Sequence, residues 1–252
     1  MAEDSSNSHP LLRNTFRKTE FLNLSRASQI WSNGFDTSSY LNKLGFHATL
    51  MKNGVDCYEF NKPEDQYSCP DFLDKNLTNI TMVATLRTTR GIDTSIKACS
   101  YLSQITKNFH MVFVGKGSKT RWEKLAKEMN VDEHIRFAGE RTDIADILHF
   151  SDIVLAFCNE QYASGLSMSL LEAMASRKAI VAWDNAIYNQ LLSDHNNALL
   201  VPEKNSTALA HAVLELINNP NLRRRIGSNA RKTVADYDWA VVVADFRKFI
   251  AS

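Results

Sequence analysis

The sequence is short of most features that announce a function by themselves. No apolar run approaches the ~18 residues that a membrane span needs; "DIVLAF" at 152–157 is typical of the longest. The first ten residues, "MAEDSSNSHP", contain no apolar h-region of a secretory signal, so a cytoplasmic location is expected. Charge of one sign is lacking too: 29 Lys and Arg stand against 28 Asp and Glu. A net charge of +1 gives no general pull toward nucleic acid or anionic lipid, and no nucleic-acid partner is expected. The four cysteines, Cys57, Cys69, Cys99 and Cys158, are far apart and form no CxxC pair. Reduced thiols are therefore expected rather than a zinc ribbon or a disulfide framework. HExxH, GxSxG and any Cys/His ligand cluster are missing, which leaves zinc hydrolysis and serine esterase chemistry without support. Neither a metal site nor a cofactor is expected.

What is present is an ordinary core and a clear rhythm. Hydrophobic residues make up 44% of the chain and charged ones 23%, enough for one large domain or one domain with part of another. "ITMVATL" (80–86) reads as a buried strand. Gly91 then opens a helical pattern with Ile92, Ile96, Cys99 and Leu102 on one face. "HMVFVG" (110–115), "IRFAG" (135–139), "DIVLAF" (152–157) and "AIVAW" (179–183) repeat the strand theme. Helices are expected between them at "RWEKLAKEMN", at roughly 142–149 and at 168–176. This β-α-β-α order predicts an α/β fold, a Rossmann-like parallel sheet with helices on both faces. The C-terminal third turns helical: "STALAHAVLELINN", "PNLRRRIGSNARKTVADY" and "DWAVVVADFRKFIA".

The domain reading follows from these shifts. Residues 1–10 are polar and expected to be disordered; 11–56 read as the tail of another domain, with a helix near 35–44 and a strand "HATLM". Turn formers mark 57–79 as a linker, 80–235 as the Rossmann-like domain and 236–252 as a C-terminal helix packing back toward the N-terminal part.

Ligands of parallel sheets bind outside the carboxyl ends of the strands. Three loops fall there: "RTTRG" (87–91), "GKGS" (115–118) and "SGLSMSLLEAMAS" (164–176). Arginines can grip a phosphate by paired hydrogen bonds, though a solvated loop pair is the plainer reading. "GKGS" lacks the third Gly of a dinucleotide fingerprint and the full P-loop pattern. The Ser/Gly stretch runs into a helix start, a natural anion site, with Met168, Ser169, Glu172 and Ser176 on one stripe. Glu172 there is placed to accept from two ribose hydroxyls, or is simply an exposed helical Glu. "DYD" (236–238) could pass for a metal-binding DxD, but Asp238 reads better as the N-cap of the last helix.

Taken in order, these segments resemble the donor-binding half of the retaining, two-domain GT-B nucleotide-sugar transferases of glycosyltransferase family 4. The resemblance covers about residues 27–250. "KNGVDCYEF" is similar to the interdomain "pNGVD…F", and "VATLRTTRGIDTSIKAC" to "vGRl…KGid.lieA". "VFVGKGS" is similar to the GxG strand end, "FAGERTDIADILHFSDIVL" to "f.G…….l…aDv.v", and "SGLSMSLLEAMASRKAIVA" to "EGfGlslLEAMAcGkPVVa". "YDWAVVVADF" resembles the Trp-bearing C-terminal helix.

The resemblance implies that Ser164, Gly165, Leu166, Ser167 and Met168 face the donor, and that Glu172 holds the ribose hydroxyls. Arg90 occupies the place of the diphosphate-binding Lys and, with Arg87, is expected to be catalytic by stabilising the departing nucleoside diphosphate. Thr85 stands where the family has a phosphate-binding Arg. Gly115 and Gly117 border the donor, and Arg141 and Thr142 lie in the loop that seats the base. The sequence departs from the pattern at Ser164 for the first motif Glu, Arg177 and Ala179 for Gly and Pro, and Gln190 for a further Glu. What is implied is metal-independent, retaining transfer from a UDP- or GDP-type sugar to a glycan, lipid or protein acceptor, in glycan or glycoconjugate biosynthesis. Most of the acceptor domain has no counterpart here, so a partner subunit or self-association is expected. The alternative is a non-catalytic nucleotide-sugar-binding or scaffold subunit.

Overall fold

The computed structural model of the chain describes residues 22–158 and 166–251. The described residues up to Lys52 form one compact unit and those from Asn53 onward another. The first holds two short parallel strands, β1 (Ile30–Ser32) and β2 (Ala48–Leu50), joined through helix α1 (Phe35–Lys43). Asn42 ties its helix to the second strand, since its side chain both accepts from Ala48 N (2.8 Å) and donates to Ala48 O (3.1 Å).

The second unit is built on six strands: β3 (Thr78–Val83), β4 (Phe109–Val114), β5 (Ile135–Gly139), β6 (Ile153–Ala156), β7 (Ala179–Trp183) and β8 (Leu199–Val201). All pairings are parallel, in the order β5-β4-β3-β6-β7-β8. The chain therefore works outward from β3 to one edge, then returns to β6 and works to the other. A crevice for a ligand opens where the direction reverses, at the carboxyl ends of β3 and β6.

Burial on both faces explains the near-continuous apolar strands. Phe109, Met111 and Phe113 of β4 join the core on one face, as do Val181 and Trp183 of β7. There they meet α2 (Ile92–Ser103), α3 (Thr120–Glu128) and α6 (Ser206–Asn218). Val154, Ala156, Ile180 and Ala182 point the other way, into a second core with α5 (Met168–Ala175). Ile147 of α4 (Ile144–His149) packs with Val112 and Val114 on that side. Helix α7 (Pro220–Thr233) touches both cores, and α8 (Trp239–Ala251) ends the described chain. Each fully buried Ile, Leu or Phe contributes about 1.5–3 kcal/mol of transfer free energy.

The elements stop where their chemistry stops them. Ile92, Ile96, Cys99 and Leu102 are all fully buried along α2, as the spacing requires. Asn205 and Asn219 cap α6 and α7 by accepting from Ala208 N and Leu222 N, and Pro220 opens the latter. The strand expected at 80–86 begins earlier and ends sooner, at Thr78–Val83. Polar Thr78 and Asn79 are buried within it, and Asp152 Oδ2 and Asp74 O accept from Asn79. Beyond Val83 the chain leaves the sheet to form a loop. The long helix expected over 220–237 breaks at Thr233 into a 3-10 turn, Val234–Tyr237.

Asp238 does cap α8: its Oδ1 accepts from Ala240 N (2.8 Å) while Oδ2 accepts from Cys57 N (3.2 Å). These backbone bonds hold its carboxyl below the ordinary range. Along α8, Val242 is buried, whereas Trp239, Val243, Phe246 and Ile250 are exposed. Among the described residues no helix is long and apolar enough to cross a membrane.

Candidate functional site

Three strand ends meet at the reversal. Backbone bonds knit their loops together: Ala84 N donates to Val114 O (2.9 Å), Leu86 N to Lys116 O (2.7 Å) and Gly115 N to Gly139 O (2.7 Å). So close an approach leaves no room at residue 115. A Cβ added there would lie 2.1 Å from Ala84 O, and φ is +148°. Gly117 is similar, at φ +130° with Leu86 beside it. Both glycines are thus explained first by chain packing; Gly115 also borders the site, and Gly117 lines neither hollow described next.

Two adjoining hollows lie along this edge. The first, about 250 Å³, is lined by Arg90, Phe157 and Ser167. The second, about 360 Å³, is lined by Gly115, Lys116, Glu140, Arg141, Ile144 and Glu172. They share a wall of Val83, Ala84, Thr85, Met168 and Ser169. Helix α5 starts on that wall, and its N-cap Ser167 accepts from Leu170 N at 3.3 Å. The unpaired N–H groups and partial positive charge of a helix start suit an anion here. Leu166, just before the cap, is held by a bond from Asn53 Nδ2 to its carbonyl (3.1 Å).

Glu172 sits one turn into α5, half-buried on the wall of the second hollow. No described residue offers its carboxylate a hydrogen bond or an ion pair. Burial accordingly pushes its pKa above the ordinary carboxylate value. The Arg90 guanidinium likewise makes no hydrogen bond or ion pair among the described residues, and it is half-buried on the first hollow. A carboxylate and a guanidinium without partners among the described residues thus stand in adjoining hollows.

The remaining candidates divide. Thr85 and Met168 lie on the shared wall. Arg87 is exposed and lines neither hollow, although its carbonyl accepts from Arg90 N (3.1 Å). Thr142 is exposed and lines neither. Arg141 borders the second hollow, but its guanidinium is spent on Asp143, with Nε to Oδ1 at 2.8 Å and Nη2 to Oδ2 at 2.6 Å. That pair holds the Asp143 carboxyl below its usual range. The same guanidinium lies over Phe72, 5.4 Å from the ring centre. Ser164 and Gly165 fall outside the described residues. Among the described residues no group of three or more His, Cys, Asp or Glu is placed to hold a metal ion. Lys116 and Glu140 were not singled out by sequence reasoning; the signal available was that each directly follows a strand-end glycine, Gly115 and Gly139.

The family described as Glycosyl transferases group 1 matches residues 70–233. The chain belongs to that family. The chain is 28% identical over 162 residues to the phosphatidyl-myo-inositol mannosyltransferase of Mycobacterium leprae, covering 63% of this chain and 42% of that protein. It is 30% identical over 181 residues to an uncharacterized glycosyltransferase of Methanocaldococcus jannaschii, covering 69% and 45%. The chain thus spans less than half the length of these curated relatives. Among solved structures, Anabaena HepE in complex with UDP and glucose superimposes with a TM-score of 0.80 at 17% identity, over 95% of this chain and 67% of that one. The group 1 transferase thus shares the GT-B type of fold.

Proposed function

We propose that this chain supplies the donor side of a retaining glycosyltransferase of family 4, taking a sugar from a nucleoside diphosphate. One observation carries the reading. The two hollows set Arg90 and the start of α5 beside an unpartnered Glu172, in the order that a diphosphate and a ribose demand. Arg90 and the helix start neutralise the phosphates. As the glycosidic bond breaks, charge builds on the leaving diphosphate, and these fixed positive groups stabilise it without a metal. Glu172 accepts from the two ribose hydroxyls and thereby sets the distance between phosphate and base. The acceptor is a glycan, lipid or protein.

Ser164 in place of the family's first motif Glu favours a second reading, a module that binds donor without turning it over. Calorimetric titration with UDP, GDP and ADP sugars, with and without EDTA, tests both. We expect micromolar to millimolar binding of a nucleoside diphosphate sugar that survives EDTA. Strict dependence on Mn²⁺ or Mg²⁺ would overturn the metal-free mechanism. Failure of every nucleotide to bind would overturn the donor site itself, and binding without any sugar transfer would favour the second reading.

A further inference from the structure

Asn53 opens the second compact unit and lines neither hollow, yet it reaches the loop from which α5 starts. Its Nδ2 donates to Leu166 O at 3.1 Å, across 113 positions of sequence. The backbone that carries this amide is fixed. Val55 N donates to Tyr237 O (2.8 Å), Trp239 N to Val55 O (3.1 Å) and Cys57 N to Asp238 Oδ2 (3.2 Å). The Trp239 indole lies so close over Gly54 that an added Cβ would meet it at 2.3 Å. Leu166 is restrained twice, because its side chain also packs against the core that contains Val55 and Cys57.

A peptide unit is planar, and in its trans form the C=O and N–H point in opposite directions. The Leu166–Ser167 peptide is trans. Drawing its carbonyl onto Asn53 therefore turns the Ser167 N–H away from Asn53, and Ser167 borders the first hollow together with Arg90. That N–H has no acceptor among the described residues, whereas Leu170 N is already taken by Ser167 Oγ. Donors held in place before an anion arrives grip it best, since a donor that must first be ordered loses binding free energy to that ordering. We propose, resting on the donor reading above, that Asn53 is a positioning residue of the donor site: it holds the Leu166 carbonyl and so aims the Ser167 N–H at the donor phosphates. A neutral amide does this without a charge that would compete with Arg90 or repel the carbonyl.

The test is calorimetric titration of the full chain with UDP, GDP and ADP, repeated on Asn53→Leu, which nearly keeps the volume and loses the donor. The nucleotide that binds the wild type most tightly should bind the variant about three- to tenfold more weakly, the affinity equivalent of one hydrogen bond. Amide NMR spectra separate aiming from simple stapling of the chain. Saturating nucleotide should shift the Ser167 N–H resonance clearly in the wild type and less in the variant. Asn53→Ser, polar but too short to reach the carbonyl, carries both measurements should Asn53→Leu not fold. Affinity within about twofold of the wild type in a folded variant would overturn the proposal. So would a Ser167 resonance that nucleotide leaves unmoved in the wild type, or moves equally in both proteins. The donor site itself would survive those results. Absence of binding by all three nucleotides to the wild type would instead remove the donor reading, and this proposal with it.

Discussion

The two ends of the six-stranded sheet treat their polar groups in opposite ways. At the amino ends of the strands several buried polar groups are paired among the described residues, although Asn79 Oδ1 is buried without a partner there. Thr81 Oγ1 meets Ser151 Oγ at 2.6 Å, and that hydroxyl also donates to Ile147 O at 2.7 Å. Half-buried Lys178 donates to His149 O at 2.5 Å. Asp152 accepts from Asn79 N and faces Arg223 at 3.7 Å. At the carboxyl ends, Arg90 and Glu172 are half-buried yet lack such partners among the described residues. Buried groups cost free energy when unpaired, so a fold that leaves them so holds capacity for something else. One end is closed for stability, the other left open for a ligand.

The sharpest way to break that contrast is to remove the space on which the open end depends. Gly115→Ala must bring a Cβ against Ala84 O in a backbone conformation that L side chains avoid. We expect a loss of at least about 2 kcal/mol in chemical denaturation, since backbone strain and a clash with rigid backbone add. A variant as stable as the wild type would mean the loops are not locked together.

Glu172→Ala probes the open end directly. It should weaken nucleoside diphosphate binding by about 1–3 kcal/mol, the usual worth of charged hydrogen bonds. Equal affinity in wild type and variant would dissociate Glu172 from the ribose. Its raised pKa adds a stability signature. The unfolded chain ionises this group at lower pH than the folded one, so the wild type loses stability as pH rises through the raised value. Glu172→Gln should therefore be the more stable protein at neutral pH, with the gap closing well below the ordinary value of 4.5.

A further effect belongs to the closed end. Burial pushes Lys178 down from 10.5 to about 8. Between those values the unfolded chain takes up a proton that the folded chain refuses. Wild-type stability relative to Lys178→Met should then climb as pH rises from about 8 to 10.5. Denaturation curves that run parallel for the two proteins across this window would show that Lys178 is charged at no cost.

Much of the scaffold is legible in the residues. "AIVAW" forms β7 over Ala179–Trp183 as expected, since a short apolar run of this length with β-branched residues fits a strand buried on both faces. The helix at 168–176 likewise appears as Met168–Ala175. Other elements escaped for a physical reason. The three-residue strands β1 and β8 carry too few residues to show a period. Thr78 and Asn79 disguised the start of β3; Asn79 is satisfied there by partners 73 residues away in Asp152 and nearby in Asp74. The site was half legible. Arg90 and Glu172 follow from loop and helix-start chemistry, whereas the engagement of Arg141 by Asp143 is a rotamer that no spacing reveals.

By itself the sequence determined the class of this protein: apolar runs alternating with amphipathic helices admit little besides a parallel sheet covered on both faces. It also determined which loops carry the cations, the small residues and the single acid. Only the tertiary structure decided that these loops share one edge. Neighbouring strands lie about 4.8 Å apart in a sheet, so strand order alone brings residues 85, 115, 140 and 172 around one hollow. That order is set by how side chains pack on the two faces, a long-range property that no local stretch of chain contains.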